Sequence, residues 1–104
     1  MATQALTTGG SRTFQDGVQI SWTPSSTTNS VDLQISIGGS LVWDDTVQGN
    51  GNVPVEADGD NYKITGVLEV QFSASGSDGQ VKASGLKWTV EGSSHSYDGL
   101  VGIW

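Results

Sequence analysis

The chain has 104 residues, no cysteine and a formal net charge of -7, with four Lys and Arg against eleven Asp and Glu. This length fits one domain with its own core, and the missing cysteines exclude a disulfide scaffold or a thiolate metal site. The acidic charge argues against nucleic acid and anionic membranes as partners, because both repel a negative surface.

The N-terminus has neither the basic start nor the apolar run of a signal peptide, and no segment approaches the roughly 20 apolar residues of a membrane helix. We therefore expect a soluble single domain over 1–104, without membrane insertion and with its localisation left open. Residues 1–11, which end in Gly9-Gly10-Ser11, are expected to form a flexible arm.

The first half of the chain predicts short strands joined by polar turns. Apolar and polar residues alternate in two segments, which is typical of half-buried strands and places Trp22 in the core. Gly38-Gly39 predicts a tight hairpin, because glycine adopts positive φ readily. The predicted strands are 12–14, Val18–Trp22, Val31–Ile37 and Leu41–Trp43.

The second half begins with a polar section over 44–61, in which Val53–Val55 is expected as an edge segment because Pro54 cannot donate to a central ladder. A strand over 62–74 follows, with a β-bulge expected at Gly66. The next strand is broken at Ser84-Gly85 and then turns Leu86, Trp88 and Val90 inward. After a loop that carries His95, the last strand covers Tyr97–Trp104.

About eight short strands with glycine-rich turns predict an all-β fold, and no segment has helical periodicity. The fold class we expect is an antiparallel β-sandwich of jelly-roll-like type. Strand order is invisible to periodicity, so other eight-stranded topologies stay open.

The last strand is apolar on both faces. By alternation, Tyr97, Val101 and Ile103 share one face, and Leu100 and Trp104 share the other. A strand covered on both faces indicates either a second subunit or the domain's own loops. We favour a homo-oligomer with Leu100 and Trp104 in its interface.

Residues 92–104, GSSHSYDGLVGIW, resemble the closing strand of TNF-like jelly rolls. They are most similar to the fucose-binding modules of some bacterial two-domain lectins, where a Gly-Ser, His, Ser-Tyr, Leu and Ile-Trp series has a similar order. The resemblance covers about the last fifth of the chain and needs a gap. It implies a jelly roll and a trimer that holds sugar between subunits. It assigns no binding residue, since that family relies on arginines and this chain has only Arg12.

Catalysis is not predicted. His95 is the only histidine, which rules out a three-histidine zinc site, and nearby serines do not define a triad in so serine-rich a chain. Two carboxylates suffice for a glycosidase, but eleven acids in a small domain will form a pair by chance.

The favoured binding residues are Trp43, Asp44 and Asp45. An indole offers a flat apolar face to a sugar ring, and neighbouring carboxylates accept hydrogen bonds from hydroxyl groups. Tyr62, His95 and Tyr97 are expected to add further contacts. A core-closing role for Trp43 explains its position equally well.

A calcium site is a weaker candidate. Asp58 and Asp60 flank Gly59 in the manner of hard-cation loops, but an ordinary Asp-Gly turn explains the same residues. Ala2-Thr3-Gln4 at the start of the chain and the loop before the apolar last strand also resemble the small calcium-dependent bacterial lectins. Their acidic calcium loop is missing, because 93–98 holds a single carboxylate.

Our leading hypothesis is a non-enzymatic lectin that binds a glycan on an exposed aromatic side chain and acts as a homo-oligomer, with a trimer favoured. The main alternative is a structural or adhesion module of a virion, tail or surface, without a small-molecule ligand. An inhibitor or toxin-like effector is a third class.

Overall fold

The computed structural model describes residues 9–25, 29–73 and 78–104. They form two antiparallel four-stranded sheets, so the predicted eight-stranded all-β sandwich is confirmed. A single 3-10 turn, Gln15–Gly17, precedes the second strand. The strands are β1 Gly10–Thr13, β2 Val18–Ser25, β3 Ser30–Ile37, β4 Ser40–Gln48, β5 Gly51–Asp58, β6 Tyr62–Phe72, β7 Gly79–Val90 and β8 Ser93–Ile103.

Strand order is sequential in both sheets, β1-β2-β3-β4 and β5-β6-β7-β8. This up-and-down order differs from the two Greek keys of a jelly roll, which interleave strands from distant parts of the chain. Short connections explain the difference, because turns such as Gly38-Gly39 and Glu91-Gly92 reach only an adjacent strand. The chain changes sheet at Gly49-Asn50, so β4 and β5 are neighbouring edges on one side and β1 and β8 on the other.

The core fills the space between the two sheets, as alternation predicted. Trp22 and Trp88 are both buried, which confirms their expected place in the core. The inward residues that are fully buried are Val18, Ile20, Val31, Leu33, Ile35, Ile64, Leu68, Val81 and Leu86.

Two local predictions are confirmed. The pairing of β6 with β7 shifts at Gly66, where φ is 146° and an added Cβ would lie 2.6 Å from the Cα of Leu86. Only glycine fits both the backbone angle and the space. Pro54 lies exposed in β5, which is an edge strand of its sheet.

Three boundaries differ from the sequence prediction. Most of the polar section 44–61 belongs to β4 and β5, because edge strands keep one face in water and so carry many polar residues. His95 lies within β8 rather than in a loop. β1 begins at Gly10, inside the arm expected at 1–11, and the rest of that arm up to residue 8 lies outside the described residues, as does Ala74.

The last strand does not keep the alternation predicted for it. Its pairing with β7 shifts beside Val101, so that Val101 is buried while its expected face-mate Ile103 is 64% exposed. Leu100 is 43% exposed on the outer face, where it pairs with Lys82. A β-bulge adds one residue to a strand and reverses the faces beyond it, which alternation alone cannot anticipate.

In the described part of the chain, no helix has the length and apolar character needed to cross a membrane.

Candidate functional site

A cleft of about 530 Å³ opens at one end of the sandwich. Its lining comes from four places: the turn before β2, the β3–β4 hairpin, the β5–β6 turn and the β7–β8 turn. The apolar part of the lining is Ile37, Val42, Tyr62 and Val90, and the polar part includes Asp16, Asn61, Glu91 and Ser93. This volume lies within the range of small-molecule sites, which measure about 300–1,000 Å³.

The turns around the cleft are bonded to one another in pairs. The backbone N–H of Gly38 donates to the carbonyl of Gly17 at 3.1 Å, and that of Glu91 donates to Asn61 at 2.7 Å. Each bond ties two turns that are distant in the chain. The walls of the cleft are therefore fixed before a ligand arrives, which lowers the entropy lost on binding.

Both acidic residues of the cleft have a left-handed backbone, with φ of 64° at Asp16 and 51° at Glu91. In the described part of the chain, the only other non-glycine residue with positive φ is Asn29. This conformation costs an L-residue about 1–2 kcal/mol, and at Glu91 the two-residue β7–β8 turn formed with Gly92 requires it.

His95 positions Asp16. The two side chains form a hydrogen-bonded pair with 2.6 Å between Nδ1 and Oδ2, at side-chain exposures of 32% and 19%. His95 belongs to β8 and its ring lies 6.3 Å from that of Trp88, while Asp16 precedes β2 in the other sheet. This hydrogen bond links the two sheets beside the cleft and fixes one carboxylate oxygen of Asp16.

Tyr62 lines the cleft. Its ring is half-buried and packs directly on Gly59, where an added Cβ would lie 2.3 Å from a ring carbon. The Gly59 N–H also donates to the Tyr62 carbonyl at 2.9 Å. The β5–β6 turn therefore holds the ring in place.

Tyr97 belongs to a different group of residues, at the edge where β1 meets β8. Its hydroxyl accepts from Arg12 at 3.0 Å and donates to the Leu100 carbonyl at 2.5 Å. Arg12 also donates to that carbonyl at 2.9 Å, and Phe14 packs on Tyr97 with 4.9 Å between ring centroids. We name this group of Arg12, Phe14, Tyr97 and Leu100 the seam.

The structure separates Trp43 from Asp44, two residues of the favoured sugar platform. Trp43 pairs with Ile35 on the inner face and packs against the core, whereas Asp44 pairs with Gln34 on the outer face. Asp45 is exposed and its Oδ1 accepts from the N–H of Thr46 at 2.8 Å. Asp44 and Asp45 line a shallow groove of about 350 Å³ that Trp43 does not reach. Trp43 and Asp44 are consecutive residues of β4, so their side chains point to opposite faces of the sheet.

Asp58 ends β5 and Asp60 follows in the turn. In the ranges that the structure describes, no group of three or more His, Asp or Glu side chains is placed to hold a metal ion.

Trp104, the other expected interface residue, is half-buried at the opposite end of the sandwich. Its ring meets Phe72 with 5.4 Å between centroids, and its backbone N–H donates to Gly79 at 3.0 Å.

Sequence reasoning missed Asp16, Asn61, Glu91 and Ser93. Each belongs to a turn or lies next to one, and the Asp-Gly and Glu-Gly pairs at 16–17 and 91–92 mark two of these turns. Turn residues far apart in the chain show their proximity only once the sheets are packed. Chemically, the cleft offers carboxylate, amide and hydroxyl groups beside an apolar surface.

Comparison with known proteins finds no family model that matches this chain, and no curated protein or solved structure that matches it significantly.

Proposed function

We propose that the protein is a non-enzymatic carbohydrate-binding protein and that the sugar occupies the cleft. One observation carries the proposal: a preformed cleft of about 530 Å³ joins an apolar lining to oxygen acceptors. A sugar ring presents C–H groups that pack on apolar surface and hydroxyl groups that donate to carboxylates and amides. Tyr62 and Val90 supply the apolar side, and Asp16, Asn61 and Glu91 supply the acceptors.

We treat catalysis as a separate question, because the hydrogen bond between Asp16 and the only histidine of the chain leaves the second carboxylate oxygen of Asp16 free. A glycosidase would need two carboxyl groups about 5–10 Å apart with one acting as proton donor. Incubation of each bound sugar with the protein, followed by analysis for cleaved products, tests this part separately.

The binding proposal is tested by titrating ¹⁵N-labelled protein with a panel of neutral and charged disaccharides. We expect the amide signals of Gly38, Asn61, Glu91 and Ser93 to move together for at least one sugar. Ser40→Trp, which fills the cleft, should abolish these shifts. Asn52→Trp, on an exposed position of β5 outside the cleft, should leave them intact. A panel without any shift would refute carbohydrate binding.

We further propose that the protein forms a homo-oligomer through the outer face of β8. Leu100 and Ile103 are exposed there, and a second copy would cover them. The strand has one charged carboxylate, Asp98, whose Oδ1 accepts from the N–H of Gly85 at 2.5 Å. Trp104 is already packed on Phe72, so Leu100 and Ile103 are the contacts we favour.

Light scattering tests this assembly. We expect a particle larger than the 10.8 kDa monomer, and the double variant Leu100→Ser, Ile103→Ser should return it to monomer. A monomeric native protein at high concentration would contradict the proposal.

The same exposed face of β8 favours a structural or adhesion module as the second candidate function. An assembled protein that binds no sugar of the panel would support that function over the lectin.

A further inference from the structure

We infer that the cleft selects saccharides that carry a free amino group. The inference rests on the proposed function and names the ligand class of the same site. Three properties of the two acidic residues in the lining support it: their negative charge, the contacts that hold them and their location in different sheets.

The lining is acidic and has no basic side chain to balance it. Asp16 and Glu91 both line the cleft, and none of the described residues around it is Lys or Arg. Lys63 lies outside, in a neighbouring groove of about 300 Å³ that it shares with Asp60 and Glu91. An anionic sugar would therefore meet two carboxylates, whereas an ammonium group would be attracted to both.

The two carboxylates come from different sheets. Asp16 precedes β2 and Glu91 joins β7 to β8, so a ligand between them contacts both halves of the sandwich. The ammonium group of an amino sugar has three N–H donors, and the acceptor residues of this lining include Asp16, Glu91 and Asn61.

Asp16 is held through its side chain, whereas Glu91 is exposed and is held through its backbone. His95 binds Oδ2 of Asp16 and leaves Oδ1 to a ligand, while the backbone of Glu91 is bonded to Asn61. The prearranged carboxylate of Asp16 loses little entropy on binding, and charged hydrogen bonds are stronger than neutral ones.

Calorimetry with three disaccharides of equal length tests the inference at near-neutral pH: glucosamine, N-acetylglucosamine and glucose. We expect the glucosamine disaccharide to bind about tenfold more tightly than the other two, since a charged hydrogen bond is worth about one order of magnitude in affinity. Glu91→Gln should remove most of this preference. Glu56→Gln, which makes the same charge change on an exposed position of β5, should retain it.

The outcomes separate the inference from the proposed function. Equal binding of all three disaccharides would overturn the amino-group preference and leave carbohydrate binding standing. Absence of binding to any sugar would refute both. An equal loss of preference in Glu91→Gln and Glu56→Gln would also overturn the inference, because the net charge of the protein would then explain the attraction.

Discussion

The guanidinium of Arg12 donates to the hydroxyl of Tyr97 at 3.0 Å and so joins two sheets along the edge where β1 and β8 meet. Its central carbon also lies 5.0 Å from the ring centroid of Phe14 and 4.9 Å from that of Tyr97. Arg12 is the only arginine of the chain. The Arg12 side chain therefore donates most of the hydrogen bonds within the seam.

Removal of this side chain should weaken the seam. We expect Arg12→Ala to lower the free energy of unfolding by about 1–2 kcal/mol, since it removes cation–π contacts and charged hydrogen bonds at a solvent-exposed site. Denaturant unfolding measures the change through the midpoint. Lys87→Ala, which removes an exposed cation from β7, is the matched control and should change the midpoint little. Equal effects of the two variants would show that the seam contributes no specific stability.

Gly102 lies directly against the indole of Trp22, where an added Cβ would be 2.2 Å from two ring carbons. Trp22 is buried between the sheets and cannot move aside without disturbing its neighbours. We expect Gly102→Ala to destabilise the fold by about 1–3 kcal/mol through overpacking. Thermal unfolding followed by tryptophan fluorescence measures the effect.

Gly51→Ala is the control for that variant, because its Cβ would meet only a methyl group of Val47 at 3.7 Å. It should leave the unfolding temperature nearly unchanged. A native-like unfolding temperature in Gly102→Ala would contradict the close packing on Trp22.

Because His95 is hydrogen-bonded to Asp16, two substitutions of the histidine should affect ligand binding differently. An asparagine amide can replace the Nδ1 donor, whereas phenylalanine keeps the ring beside Trp88 and loses the donor. We expect His95→Phe to weaken ligand binding several-fold, on the order of one hydrogen bond, and His95→Asn to weaken it less. Titration calorimetry with the tightest sugar of the panel provides the comparison.

The positioning role would be disproved if both variants bound the sugar like the native protein. Loss of binding in both, with native unfolding temperatures, would instead indicate that the imidazole contacts the ligand itself.

A substitution at Gly59 should displace the Tyr62 ring without changing the tyrosine itself. A Cβ at residue 59 would be 2.3 Å from the nearest ring carbon, so Gly59→Ala should displace the ring from its place in the cleft. We expect about a tenfold loss of affinity, because the ring's apolar contact with the ligand is disturbed. Proton NMR of the Tyr62 ring measures the displacement directly.

Tyr62→Phe is the companion variant, since it removes only the hydroxyl. It should bind more tightly than Gly59→Ala if the ring face makes the contact. The opposite ranking would assign the contact to the hydroxyl group.

The strands of this protein follow from its sequence because alternation is a local property. Val31–Ile37 has apolar residues at every second position, and it forms the inner strand β3 with Val31, Leu33 and Ile35 buried. Gly66 was recognisable as a bulge because glycine within a long apolar strand is otherwise unfavourable. Alternation of apolar and polar residues likewise predicts the core positions of Trp22 and Trp88.

The candidate site was only partly predictable. Of the three residues expected to add contacts, Tyr62 lines the cleft, His95 is bonded to Asp16 beside it, and Tyr97 lies apart in the seam. Trp43 was placed beside Asp44 by sequence adjacency, but strand geometry turns the two side chains to opposite faces. The bulge beside Val101 likewise changed the exposure of Ile103, and no composition signal marks it.

The sequence by itself determined the all-β class, the inward faces of most strands and the acidic surface, since these depend on local alternation and on charge. The tertiary structure decided which turns come together. Asp16 and Glu91 are 75 positions apart in the chain and share one cleft, while Arg12 reaches Tyr97 across the seam. Such proximity depends on strand order and on the packing of the two sheets, which are properties of the whole chain.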